Sequence, residues 1–298
     1  MRLFISITGL LASMLTPLAL AQTPLSTAMQ DLQTISGEAM QGREIGSAGS
    51  ALARAYIIKR LQEIGLKPCG ENFVQDFTSQ RPRDQVLQGK NILACQPATD
   101  APDAKSLIIS AHYDHLGINR GKTYFGADDN ASGVAGVLAV AESFKGKKTH
   151  HQIVYAFFDG EEQGLLGAFA FIKKALIPTD KIAANLNFDM IARGDKNELF
   201  ISGTHQNPTF KPLLQSLDGI RGIKLSFDHD RPEQGSNDWT PQSDHYAFFK
   251  AGIPHLYFGV EDHADYHKPS DSFEKIKAEF FDGSIEIIVK AAHIIDQQ

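Results

Sequence analysis

The chain has 298 residues, 42% of them hydrophobic and 21% charged, with a formal net charge of −6. Such mild acidity argues against nucleic acid or an anionic membrane surface as a partner, and the length allows one large α/β domain with a substantial core without requiring two. Its two cysteines, Cys69 and Cys95, exclude a CxxC zinc site; they could pair in an oxidising compartment, but their separation in sequence is silent on their distance.

In chain order, the basic start Met1-Arg2, the apolar stretch Leu3 to Leu20 and the small-x-small triplet Ala19-Leu20-Ala21 predict a cleaved export signal over 1–21. Ser6, Thr8, Gly9, Ser13 and Pro17 interrupt the stretch and weigh against its retention as a membrane anchor. The mature chain is then a single domain over 22–298, periplasmic or secreted, with no membrane contact after cleavage. Losing Arg2 takes its charge from −6 to −7.

A helix is expected from about Ser26, and a second over 51–64, whose apolar spacing near 3.6 stops at Gly65. Residues 91–95 and 107–111 read as strands flanking a turn region. A Gly-rich loop follows, then a helix over 131–144, a strand over 153–158, a helix over 162–176 and a strand over 182–188. Shorter elements come next: a strand over 198–202, a helix over 208–217 and a strand over 223–227. The charged segment 228–240 reads as a surface loop. A helix over 241–251, a strand over 255–258 and a helix over 279–295 close the chain. Strands alternating with helices predict a three-layer α/β/α sandwich around a mixed, largely parallel central sheet.

The most informative segment is Phe157-Phe158-Asp159-Gly160-Glu161-Glu162. Two carboxylates just past the carboxyl end of a buried strand lie where open α/β sheets place their chemistry, and side by side they repel unless a positive charge, usually a metal, joins them. Further candidate ligands sit at other strand ends or in the loops after them: His112 and Asp114, the Asp128-Asp129-Asn130 loop, Asp189, and His267. Two histidines with three or more carboxylates make a mixed N/O set that suits zinc. Five ligands exceed what one tetrahedral ion needs, so two zinc ions per chain sharing a bridging carboxylate fit better, and the spare glutamate would serve as general base.

Gly126-Ala127-Asp128-Asp129-Asn130-Ala131-Ser132-Gly133, with Ala111-His112-Tyr113-Asp114 and the Glu161-Glu162 pair, resembles the co-catalytic zinc aminopeptidases of metallopeptidase family 28, of the bacterial leucyl aminopeptidase type. The resemblance runs from Gln41-Gly42-Arg43-Glu44 through Ser243-Asp244-His245 and Gly252-Ile253-Pro254 to His267. It implies the phosphorylase/hydrolase-like zinc exopeptidase fold and two zinc ions. By the family pattern Asp129, rather than Asp128, bridges both; His112 and Asp189 complete one site, and Glu162 and His267 the other. Glu161 is the general base that generates a metal-bound hydroxide to attack the N-terminal peptide bond of a peptide. Asp114 orients the His112 ring, and the Asp129-Asn130 peptide is expected to be strained, often cis. His245, Trp239, Tyr246 and Phe248 are candidate substrate-pocket residues, and a monomer is expected.

Two alternatives share the scaffold: a single-zinc acyltransferase of the glutaminyl cyclase type, and a carboxypeptidase. His115 reads as a rim or core residue and His263 as a loop residue. Arg193 and Arg231 read as solvated, though each is a possible contact for a substrate carboxylate. Gly117 to Thr123 resembles a phosphate loop but is one residue short between its glycines and lacks the strand and helix around it.

Overall fold

The computed structural model describes residues 26–80, 86–99, 101, 104–174 and 176–298. The export signal expected over 1–21 lies outside them. Among the described residues no helix is long and apolar enough to cross a membrane.

Helices α1 (Thr27–Ile35) and α2 (Ala48–Ile64) each begin on a serine whose hydroxyl accepts a backbone N–H, Ser26 from Met29 and Ser47 from Ser50. The chain then enters a sheet through β1 (Lys67–Pro68), β2 (Val74–Gln80), β3 (Val86–Gln96) and β4 (Ser106–His112). A small hairpin, β5 (Ile118–Asn119) with β6 (Lys122–Thr123), occupies the segment with the phosphate-loop likeness. There follow α3 (Gly133–Phe144), β7 (Gln152–Phe158), α4 (Leu166–Lys174), β8 (Ile182–Phe188), β9 (Glu198–Ser202), α5 (Phe210–Leu214), β10 (Lys224–Ser226), α6 (His245–Lys250), β11 (His255–Gly259) and α7 (Ala278–Asp296).

Nine strands make one sheet in the order β1-β3-β7-β4-β8-β11-β9-β10, with β2 also on β3. The central pairs β7·β4, β4·β8 and β8·β11 are parallel, while β3 and β9 run antiparallel to their neighbours β7 and β11. Residues along the central strands alternate between two cores. Leu107, Ile109, Tyr155, Phe157, Leu186 and Phe188 pack with residues of α1, α2, α3 and α7. Ile108, Val154, Ala156 and Phe158 pack with Ala168 and Phe171 of α4 and with Ala247 and Phe248 of α6. Helices therefore cover both faces, which is the expected three-layer α/β fold, and β4 is buried along its whole length as a doubly covered strand must be.

The differences from expectation are local. The helix expected from residue 162 starts at Leu166 because Gly164 and Leu165 take positive φ, 102° and 58°, and their N–H groups both bond to the Glu161 carbonyl. Glu161 and Glu162 consequently sit in a turn rather than in the first turn of a helix. Strands β1 and β2 were not expected, and β3 begins at Val86 rather than residue 91. Cys69 and Cys95 form a disulfide that fastens the chain beyond β1 to β3.

Candidate metal centre

Because β7, β4, β8 and β11 are parallel, their carboxyl ends share one edge of the sheet. His112 is the last residue of β4; Glu161 and Glu162 follow β7, Asp189 follows β8, and His267 lies in the loop after β11. Asp129 lies in the wide turn Ala127–Ser132 that opens α3, and its peptide bond to Asn130 is cis.

The two oxygens of Asp129 face different partners. His112 Nε2 lies 3.4 Å from Asp129 Oδ1 and 3.3 Å from Asp189 Oδ1. On the other side, His267 Nε2 lies 3.2 Å from Asp129 Oδ2 and 3.2 Å from Glu162 Oε2. A tetrahedral zinc with bonds of about 2.0–2.1 Å sets its ligand atoms roughly 3.3 Å apart, so both sets have the spacing of donors around one ion, with Asp129 common to the two. Asp129 Oδ2, Glu162 Oε1 and Asp114 Oδ2 are buried without a hydrogen-bond partner among the described residues. Buried, unpaired carboxylate oxygens at this density call for a cation, and these residues could hold two.

The frame around these donors is built from hydrogen bonds. Asp271 accepts the backbone N–H groups of both Asp128 and Asp129 at 3.1 Å. Asn130 donates to the Phe188 carbonyl (2.9 Å) and accepts from Gly133 N–H (2.9 Å). Asp128 is spent on structure: its Oδ1 accepts from Ala192 N–H (2.7 Å), and its Oδ2 lies 3.2 Å from Nε2 of the buried His263. The Ser243 hydroxyl donates to Asp189 Oδ2 (2.7 Å), leaving Oδ1 toward His112. Asp114 meets the His112 ring chiefly through its carbonyl, 3.2 Å from Nδ1, with its carboxylate at 3.7 Å and engaged with Glu161 N–H at 3.0 Å.

Sequence reasoning noted Arg43 only as part of a motif, yet it is fully buried and organises the loops. Its guanidinium donates to the carbonyls of Ile35, Tyr113, Phe125 and Gly126 at 2.6–2.9 Å. Burial pulls its pKa down to about 10, while the nearby carboxylates, Asp129 and Asp114 foremost, pull the other way.

Burial raises the Glu161 carboxyl well above the usual range; His112 opposes this, and Asp244, Asp189 and Glu162 reinforce it. Burial would raise Glu162 as well, but contacts with His115 and His267 outweigh it and hold its carboxyl low. Without a cation the cluster thus distributes protons unevenly, as repelling carboxylates in a low-dielectric pocket must. Glu161 lines a small cleft of about 40 Å³ together with His112, Asp129, Asp189 and His267, walled by Trp239, Gln242, Tyr257, Asp262 and Tyr266.

Of the substrate candidates, Trp239 lines the cleft, stacked on His229 at 3.8 Å. The other three do not. Phe248 is fully buried in the core under α6, because that face of the helix packs on Phe158 and Phe171. Tyr246 projects from the same helix beside Phe169 and Phe249. His245 is buried behind Tyr257, 4.9 Å ring to ring. Arg193 is buried rather than solvated, and both its terminal nitrogens bond Asp265 at 3.1 Å. His115, expected at the rim or in the core, is buried with Nδ1 only 2.7 Å from Glu162 Oε1.

Comparison with known proteins accords with this geometry. The chain is 28% identical over 71% of its length to the alkaline phosphatase isozyme conversion protein of Escherichia coli. It spans 66%, 58% and 44% of the lengths of three curated relatives it matches. The fold is that of a zinc aminopeptidase from Bacillus subtilis (TM-score 0.72, 17% identity, 89% of this chain and 94% of that one). It is likewise that of the glutaminyl cyclase of Porphyromonas gingivalis (TM-score 0.69, 18% identity, 90% and 96%). The sequence model of peptidase family M28 matches residues 91–292, more than half of the chain, and the protein belongs to that family.

Proposed function

We propose that the protein is an exported di-zinc aminopeptidase. The observation that carries this reading is the pair of donor sets sharing Asp129, one with His112 and Asp189 and one with Glu162 and His267, beside a glutamate that lines the same cleft. When bound, the ions would acidify water and stabilise negative charge on the carbonyl oxygen under attack. Glu161 would take the proton from the attacking water and return it to the leaving amine, a transfer that its place in the cleft wall supports. Asp114 acts as a positioning residue, through the His112 ring and the Glu161 N–H.

Charge in the cleft wall favours removal of residues from the amino end. No Lys or Arg stands among the described residues lining it, and its non-ligand charges are the carboxylates of Glu161 and Asp262. Away from the ions, whose own charge would attract a carboxylate, such a wall suits a peptide α-ammonium, and Arg193, a possible contact for a substrate carboxylate, is paired with Asp265. The likeness to a glutaminyl cyclase keeps one second reading, a cyclase with a single zinc; two complete donor sets favour the peptidase. Export rests on the 1–21 signal pattern, and the Cys69–Cys95 disulfide suits an oxidising compartment.

The test is a panel of aminoacyl-p-nitroanilides and their N-acetylated counterparts, offered to zinc-loaded wild type and Glu161→Ala. Hydrolysis of the free-amine compounds by wild type alone is expected. Cleavage of the blocked compounds would overturn the preference for a free amine. Silence on both sets with cyclisation of N-terminal Gln would replace the peptidase by the cyclase.

A further inference from the structure

His115 stands three residues beyond His112, past the end of β4, and is fully enclosed. Neither of its ring nitrogens has a hydrogen-bond partner among the described residues. A buried polar ring without partners is costly, so the atoms around it matter. Nδ1 lies 2.7 Å from Glu162 Oε1 and 3.7 Å from Asp129 Oδ2, and the shorter approach lacks the alignment of a hydrogen bond. Two electron-rich atoms that close need a shared proton or a shared cation between them. His115, Asp129 and Glu162 also form, by themselves, a set of donor atoms close enough for one ion.

The ring is held in this pose by its surroundings. It packs against Gly126, where an added Cβ would lie 2.6 Å from His115 Cγ and Cδ2 and where φ is +55°. The Gly126 carbonyl is in turn fixed by the Arg43 guanidinium at 2.9 Å. Imidazole ligates zinc through Nδ1 as well as Nε2.

We propose that His115, through Nδ1, is a further protein donor at the second metal position, alongside Asp129, Glu162 and His267. The inference rests on the two-ion reading above and deepens it. The second position then has two nitrogen and two oxygen donors from the protein, enough to hold an ion firmly. The first, with His112, Asp129 and Asp189, keeps three and stays open, as catalytic zinc sites do. The two positions are therefore unequal in protein donors, the second the more firmly held and the first the more open, while both border the same cleft.

The experiment uses full-length mature protein labelled with 15N-histidine and loaded with cadmium-113, a probe with the same filled d shell as zinc. Three imidazole rings coupled to cadmium are expected, one of them through Nδ1. In His115→Gln, which keeps a donor able to reach Glu162, one ring's coupling should vanish while two remain, and the tighter ion should bind at least ~100-fold more weakly, beyond the usual loss on removing a group that only supports a ligand. Two coupled rings in wild type would overturn the proposal, reduce His115 to a neighbour of Glu162 and leave the two-ion reading standing. One ring or none would take the two-ion reading down with it. The wild-type measurement decides the matter even where the variant does not fold.

Discussion

Arg43→Met removes a buried cation whose four partners are all backbone carbonyls, those of Ile35, Tyr113, Phe125 and Gly126. Methionine keeps the length and the apolar stem but donates nothing. Hydrogen bonds from a charged donor are worth about 1.5–3 kcal/mol each, so the four together represent roughly 6–12 kcal/mol. Part of this is recovered, because the variant no longer buries a charge. The fall of the Arg43 pKa from 12.5 to about 10 corresponds to roughly 3 kcal/mol. The net loss is on the order of 3–9 kcal/mol, comparable with the whole stability of a typical domain, about 5–15 kcal/mol. Arg43→Lys should be intermediate, since one ammonium cannot span four carbonyls in a planar fork. Urea unfolding of ion-free protein, followed by the fluorescence of the single tryptophan, Trp239, measures this directly. A midpoint for Arg43→Met equivalent to within about 1 kcal/mol of wild type, with zinc affinity unchanged, would refute the reasoning.

Glu161→Gln should bind zinc normally yet lower kcat by about 10²–10⁴; turnover equal to wild type would remove Glu161 as the base. Burial would lower the His267 pKa, but Asp129 and Glu162 outweigh it and raise the ring to about 10. The ion-free ring is thus protonated at neutral pH, zinc must expel that proton, and affinity should climb with pH until about 10. Calorimetry in buffers of different ionisation enthalpy reads this release, and its absence contradicts the claim. Burial pushes the Asp244 carboxyl up to about 8, against the pull of His112 and with the push of Asp114 and Asp189. The native ion-free protein then holds a proton that the unfolded chain releases above about pH 4, so stability falls by about 1.4 kcal/mol per pH unit from there toward pH 8. Asp244→Asn should flatten that slope in ion-free urea melts at pH 5 and pH 8; parallel slopes would contradict it.

The central strands were legible because each is an apolar run covered on both faces, as in Ile153 to Phe158. Strand β2 was not, since Val74-Gln-Asp-Phe-Thr-Ser-Gln lies at an edge, fully buries only Phe77 and carries little apolar signal. The start of α4 was misplaced because nothing in Glu161 to Leu165 but Gly164 announces positive φ. At the site, the expected donors fall at strand ends, where parallel order brings distant residues to one edge. His115 escaped because past the end of β4 no periodicity says which way a side chain turns. Arg43 escaped because arginine is rarely buried without an acidic partner, and its partners are carbonyls, which leave no mark in sequence. Phe248 and Tyr246 are candidates for the pocket in the sequence, but the short α6 sends Phe248 to the core and leaves Tyr246 half-buried beside Phe169 and Phe249.

The central claim is that two zinc ions, sharing Asp129, act together in one cleft. Zinc titrated into ion-free protein, with metal content and hydrolysis of leucine p-nitroanilide followed in parallel, tests it most directly. The account predicts that two ions are taken up per chain and that activity reaches its plateau only as the second is bound. A plateau at one ion per chain, with no second ion retained in excess zinc, would contradict it.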